Sequence, residues 1–501
     1  MEQAIMWNTQ STGSWLTIIL LLLELIFSVV FAELFQVKKH ARLRKEINTA
    51  PFQYESQIGN LVGKVGEGYY LEVLIGTQPQ KLNLLIDTGS SNLAVACAKD
   101  DSIDRYFQTN LSSTYGSLGV KVSVPYTVGS WSGLLGHDLI TMTTVPNSTV
   151  TANIACIQRS SSFYINGSDW QGILGLAYAD IARPDSHVDP WFDTLVSQRG
   201  FNNVFGVQLC GRGYKTPNPE KLTGGSIVFG GVAASLYHGS LYSTPVNKEW
   251  YYEVILVDVK VNGRSLAMDC KEYNFGKTIV DTGTTNLRLP TRVFNKLVGS
   301  MKDQVTVTEL LFPGFWAGLD NLCWREGYTP YHLFPNVSLV LPVNTTAAFG
   351  VIVTPQQYLR PVGEENDDKP ENDCFKLAIS SFDSGTVLGA IVMEGYYVVF
   401  DRHNRQVLWA ESTCGYVDTK SRPSIDSSII YAGDYNDCAY KKPETRDLTL
   451  TIIGYVMAGI CGLCLVPLLV LTFQWQCRRV KCRKSSRRGS HSDVNDLMND
   501  S

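Results

Sequence analysis

Two stretches of the sequence carry one pattern: Leu84-Leu-Ile-Asp87-Thr-Gly-Ser-Ser-Asn-Leu93 and Thr278-Ile-Val-Asp281-Thr-Gly-Thr-Thr-Asn-Leu287, 194 positions apart. An aspartate at the end of an apolar strand, followed by a small hydroxyl residue and glycine, sits on a tight turn where backbone amides approach its carboxylate. One copy could be merely a capped turn. Two copies, in halves related by an approximate two-fold, bring both carboxylates to the axis, where neighbouring like charges cannot both ionise and one acid is held protonated. Such a pair is a general acid and a general base at once. Its ionised member takes a proton from a water held between the carboxylates while its protonated member polarises a carbonyl. This chemistry calls for no metal and no cofactor, and the sequence has neither an HExxH helix nor a GxSxG nucleophile elbow.

The elements that must position these turns are mostly strands. YYLEVLIG, KLNLLID, VKVSVPYTV, GGSIVFGG, WYYEVILVDVKVNG, TIVDTG and GYYVVFD are β-branched and aromatic runs bounded by Gly, Pro, Asn and Asp. Trp191 to Gln198 and Thr291 to Met301 read as helices. Each Asp motif is followed downstream by an apolar-apolar-Gly unit, Ile173-Leu-Gly175 and Val387-Leu-Gly389. The repeat therefore predicts a mainly β chain of two similar lobes, 58–240 and 241–440.

The ends set the compartment. Trp15 to Ala32 is apolar apart from Glu24 and hydroxyl residues and ends Val-Phe-Ala, so 1–32 reads as a signal peptide, with an uncleaved anchor as the alternative. The basic stretch at 33–57 reads as a pro-segment or, alternatively, a flexible arm. After a stalk at 441–447, Leu448 to Phe473 has no charge over 26 residues, about 39 Å as a helix, which is enough to span a bilayer. Arg478, Arg479, Lys481, Arg483 and Lys484 follow it and place the tail, 474–501, in the cytosol. Five sequons (Asn110, Asn147, Asn166, Asn336, Asn344) and eight of the twelve cysteines lie between the two apolar segments, as in a glycosylated, oxidising compartment. The net charge of −4, with seven Lys/Arg against three Asp in the tail and the rest of the chain acidic in sum, gives no support to a nucleic-acid partner.

Together, the doubled Asp-Thr-Gly and its apolar-apolar-Gly partners resemble the pepsin family of two-lobed aspartic proteases. NGSDWQGILGLAYADIARPD, EWYYEVILV, MDCKEYNFGKTIVDTGTTNLRLP, PQQYLRPV and MEGYYVVFDR narrow the resemblance to its membrane-anchored beta-secretase (memapsin) branch. It implies a bilobal pepsin-like fold with two pseudo-symmetric β-barrel-like lobes and a single transmembrane helix. Asp87 and Asp281 would be catalytic. Thr88 and Thr282 would brace the two turns, Gly89 and Gly283 complete them, and Ser90 and Thr284 would hydrogen-bond the carboxylates. Val124 to Trp131 resembles the flap, with Tyr126 closing over substrate and Trp131 supporting it, and Thr285 and Arg288 would line the substrate pocket. Arg288, as a cation, would favour polar or acidic side chains. The implied disulfides are Cys210 to Cys414, Cys270 to Cys438 and Cys323 to Cys374. Cys97 and Cys156 are left as either a further bond or free thiols. Thr282 departs from the Ser of the branch and matches the general pepsin pattern.

In the tail, Cys477 and Cys482 are candidates for palmitoylation. Asp493 to Met498 resembles an acidic di-leucine signal for sorting adaptors, preceded by Ser492. The sequence thus predicts a type I membrane aspartic endopeptidase, made as a zymogen and routed through Golgi, endosome and cell surface. Its partners would be the lipid bilayer and polypeptides, above all ectodomains of membrane proteins such as amyloid-precursor-like substrates. The alternatives are a tethered degradative protease and an inactive, protease-shaped binding receptor.

Overall fold

The computed structural model describes residues 57–64, 68–126, 129–145, 147–164, 169–211, 224–305, 312–325, 328–362, 372–415, 422–431 and 433–440, and parts of 456–479. The chain forms two units, Met1–Tyr54 and Glu55–Ser501, of which the first lies outside the described residues. The signal segment and nearly all of the pro-segment, the stalk, Asn166, Cys477, Cys482 and the sorting motif lie outside them too.

The second unit is mainly β and bilobal. In each half the apolar-apolar-Gly strand is flanked on both sides by strands of the Asp motif, the one that leads into the aspartate and the one that leaves its turn. Gln80–Asp87 pairs in parallel with Gly172–Gly175, Asp87 opposite Gly175, and Leu93–Ala96 returns antiparallel along the far side of Gly172–Gly175. In the second half Thr278–Val280 pairs in parallel with Thr386–Leu388, Val280 opposite Leu388, and Leu287–Leu289 lies beyond it. These central strands are almost wholly buried, which is why they read as unbroken apolar runs.

A sheet of thirteen strands joins the halves: Val204–Leu209 and Gly225–Phe229 come from the first, Tyr396–Asp401 and Gln406–Ser412 from the second. One continuous core runs beneath it, from Leu71 and Leu84 through Trp191 and Phe205 to Leu297 and Trp409. Arg402, 5% exposed, donates from one nitrogen to both carboxylate oxygens of Asp193 (2.9 and 3.1 Å) and lies 4.5 Å over the ring of Tyr178. A buried cation is tolerable only with such a partner.

Helices occur at Trp191–Arg199 and Thr291–Lys302. The run WYYEVILVDVKVNG is not one strand. Tyr252–Glu253 pairs beside Thr278–Val280, whereas Asp258–Val261 pairs with Val337–Pro342 in another sheet. The residues between them change sheets, and their amides are met by Thr278 O, Asn274 Oδ1 and Val340 O. β-Propensity marks all of it equally, because it reports half-buried extended chain and not the partner.

Among the described residues there are four disulfides: Cys97–Cys156, Cys210–Cys414, Cys270–Cys438 and Cys323–Cys374. The first ties the chain just after Leu93–Ala96 to Val150–Ser161, two segments that run parallel. Asn110, Asn147, Asn336 and Asn344 are exposed. Among the described residues no helix is long and apolar enough to cross a membrane. Residues 465–476 are helical, and Leu465, Val466, Leu468, Leu469, Leu471 and Phe473 on them are each more than half exposed.

Candidate active site

Both Asp turns are built from the same hydrogen bonds. Gly89 N donates to Asp87 Oδ1 (2.8 Å) and Ser90 Oγ donates to Asp87 Oδ2. Gly283 N donates to Asp281 Oδ1 (2.8 Å) and Thr284 Oγ1 to Asp281 Oδ2 (2.7 Å). Each carboxylate is thus aimed by one backbone amide and one hydroxyl, an arrangement that fixes its plane.

The turns are locked to one another through their threonines. Thr88 Oγ1 donates to Val280 O (2.9 Å) and accepts from Thr282 N (3.0 Å); Thr282 Oγ1 donates to Ile86 O (2.9 Å) and accepts from Thr88 N (3.0 Å). All four bonds are buried, so each hydroxyl spends its one proton and one lone pair inside the protein. Serine at 282 could make the same bonds; threonine adds a methyl group to the packing.

The result is close contact between Asp87 and Asp281, which are 5% and 7% exposed. Burial first, and then the charge of Asp281, push the Asp87 carboxyl well above the usual carboxylate range, against the lowering effect of Ser90 and Gly89. The pair therefore holds one proton where separate carboxyls would have lost theirs. The glycines permit this approach. A Cβ on Gly89 would lie 2.6 Å from the Asp281 carboxylate, and one on Gly283 would lie 2.3 Å from Asp87 Oδ1. Gly283→Ala is expected to displace the facing carboxylate and lower kcat by about 10²-fold, as steady-state peptide hydrolysis would show; an unimpaired variant would mean that the pair tolerates being spread.

Above the pair lies a cleft of ≈ 400 Å³. Its roof is the hairpin of Gly116–Pro125 and Ser130–Met142, with Val124 opposite Trp131 and Tyr126 N bonded to Gly129 O (3.0 Å). Trp131, 2% exposed, donates from Nε1 to Tyr126 OH (3.2 Å), and Tyr126 stacks on Phe163 with ring centroids 5.7 Å apart. Burial, then the charge of Asp87, raise the Tyr126 phenol, so it stays a neutral donor. Thr285 and Arg288 line the wall. Trp131 does not line the cleft; it touches Tyr126 from behind.

The cleft also contains residues that the sequence does not single out: Arg183, Tyr251, Lys277 and Phe382. Lys277 precedes Asp281 by four residues, and burial lowers its ammonium. Arg183 and Tyr251 reach the site from distant loops. The only signal for them is membership of the stretches that carry the resemblance, which does not say which residues face inward.

A model of the family described as eukaryotic aspartyl protease matches residues 68–412. The chain is 45% identical over 464 residues to a beta-secretase of Strongylocentrotus purpuratus, covering 88% of this chain and 85% of that one. It is 30% identical to cathepsin E-A of Xenopus laevis (69% of this chain, 80% of that one) and 28% identical to pepsin II-1 of Oryctolagus cuniculus (68% and 79%).

Proposed function

Because the chain belongs to the eukaryotic aspartyl proteases, in their beta-secretase branch, and is an aspartic endopeptidase, we propose that Asp87 and Asp281 are its catalytic pair and that it cleaves other membrane proteins from a membrane anchor. The observation that carries the catalytic assignment is the contact of two buried carboxyls, each aimed by an amide and a hydroxyl, beneath an open cleft.

The ionised carboxylate removes a proton from a water lodged between the pair, and the water oxygen attacks the scissile carbonyl carbon. The protonated carboxyl hydrogen-bonds the carbonyl oxygen as negative charge develops there. Return of a proton to the amide nitrogen breaks the C–N bond and restores the starting state. Tyr126, neutral and held by Trp131, closes over an extended peptide. Thr88 and Thr282 keep the carboxyls in register, and Gly89, Gly283, Ser90 and Thr284 orient them. Thr285 and Arg288 contact the peptide. Among the described residues, every charged group on the cleft wall apart from the pair is a cation (Arg183, Lys277, Arg288), which favours peptides bearing acidic side chains.

The anchor is Leu448 to Phe473, between a lumenal protease of lobes 58–240 and 241–440 and a cytosolic tail. The exposed leucines of 465–476 support it, since a helix with its apolar side chains uncovered needs an apolar surrounding. Removal of 1–32 and of the 33–57 pro-segment, glycans on the five sequons, and a palmitoylated, adaptor-bound tail complete a secretory-pathway enzyme. Sharing a bilayer with its substrates raises their effective concentration.

In cells expressing the full chain, the protein should stay with membranes through alkaline carbonate extraction, and release into the supernatant would remove the anchor from the proposal. Proteomic comparison with cells expressing Asp281→Asn should show ectodomains shed only by the parent. Identical shed fractions would leave the degradative reading in its place.

A further inference from the structure

Arg288 lies in the strand Leu287–Leu289, which pairs in parallel with Ile379–Ser381, Arg288 standing opposite Ser380. Among the described residues its guanidinium has no ion-pair partner, and the charge it feels is that of Asp281. What it does have is a ring: its guanidinium carbon lies 5.3 Å from the centroid of Phe382, and both side chains line the cleft.

The chain just after Ile379–Ser381 is built to present that ring. Phe382 N donates to Leu289 O (2.8 Å), which continues the pairing one residue beyond the strand. Side chains alternate between faces along an extended segment, and Ser381 and Asp383, on either side of Phe382, both turn to Thr291. Thr291 Oγ1 donates to Asp383 Oδ1 and is within 2.6 Å of Ser381 Oγ. The same alternation sends Phe382 to the opposite face, under Arg288. Asp383, on the face away from Arg288, is held by Thr291 instead.

We propose that Phe382 is a specificity-determining residue: its ring covers one face of the Arg288 guanidinium and leaves the planar N–H edge facing the cleft as a receptor for a carboxylate side chain of the bound peptide. A guanidinium recognises a carboxylate through two parallel N–H donors in its own plane, and a plate against one face restricts it to that plane. The aromatic face contributes attraction for the cation without supplying a competing acceptor. This rests on the reading of the cleft as the peptide site.

The test uses the full-length enzyme and one cleavable peptide in which each position in turn is Glu or Gln. At one position the parent should favour Glu by about tenfold in kcat/KM, with the difference carried by KM. The ratio should rise from pH 4 to pH 6 as the Glu side chain, ordinarily near 4.3, ionises. Arg288→Gln should bring it to one at all pH values. Phe382→Leu, which keeps an apolar side chain but removes the ring, should lower it about threefold, and Phe382→Tyr should restore it. Each ratio is internal to one enzyme preparation, so partial misfolding cancels. A full ratio in Phe382→Leu, or a parent ratio of one at every position, overturns the proposal. Failure of the parent to cleave any of the peptides would instead overturn the peptide-site reading beneath it.

Discussion

Asp281→Asn is expected to lower kcat for peptide hydrolysis at acid pH by roughly 10³-fold while leaving the fold in place. The asparagine is isosteric, and its Oδ1 can still accept from Gly283 N. The amide nitrogen then faces Thr284 Oγ1, a hydroxyl that can turn from donor to acceptor. No buried group is orphaned, so loss of activity without loss of thermal stability is the signature of a chemical role. Asp87 in this variant also loses its charged neighbour. Its carboxyl should move down towards the ordinary range, though burial still holds it above. Hydrolysis at the parental rate would overturn the dyad.

Glu394→Gln should change how stability depends on pH. Glu394 follows the short helix Ala390–Met393, is 2% exposed, and accepts 2.7 Å from Tyr69 OH, 325 residues away in the other half. Gly211 lies against its carboxylate, where a Cβ would be 2.8 Å from Oε2, and Gln357 Nε2 donates to its backbone oxygen. Burial pushes the carboxyl up to about 7, with the Tyr69 bond opposing. The folded state therefore keeps a proton that the unfolded chain releases near 4.5. Stability from this group is complete below that pH and is lost as pH rises towards 7. The loss is about 3 kcal/mol in order of magnitude. Glutamine is neutral throughout and its Oε1 can accept the Tyr69 bond. The variant should match the parent at pH 4 and melt several degrees higher at pH 7.5. Asp87, raised in the same sense, leaves a residual slope in both proteins. Parallel curves of melting temperature against pH for parent and variant would rule out Glu394 as a contributor.

Both expectations show what a linear reading reaches. The duplicated motif exposes the Asp turns because everything that builds them (apolar approach, hydroxyl, glycine, returning Leu) lies within ten residues. The helices Trp191–Arg199 and Thr291–Lys302 are legible for the same reason. The sheet change between Glu253 and Asp258 is not, because choice of partner strand is set by segments near residues 278 and 340. Nor are Tyr69 and Glu394, or Arg183 and Tyr251 on the cleft wall, since nothing local marks a side chain whose meaning comes from a distant one. Phe382 is an intermediate case. Its neighbours Ser381 and Asp383 are ordinary turn residues, and only their shared attachment to Thr291 shows why the aromatic between them points at a cation. The Cys97–Cys156 bond, open from the sequence, follows once two segments 59 residues apart are seen side by side.

The crossed threonines have a mechanical consequence. Thr88 and Thr282 each hang on the opposite half's backbone at two points, so the floor of the groove moves as a single piece. Any rocking of the halves would therefore open the rim, under the hairpin that carries Tyr126, before it changed the spacing at the pivot. Segments of differing thickness would then enter without retuning the proton held between Asp87 and Asp281.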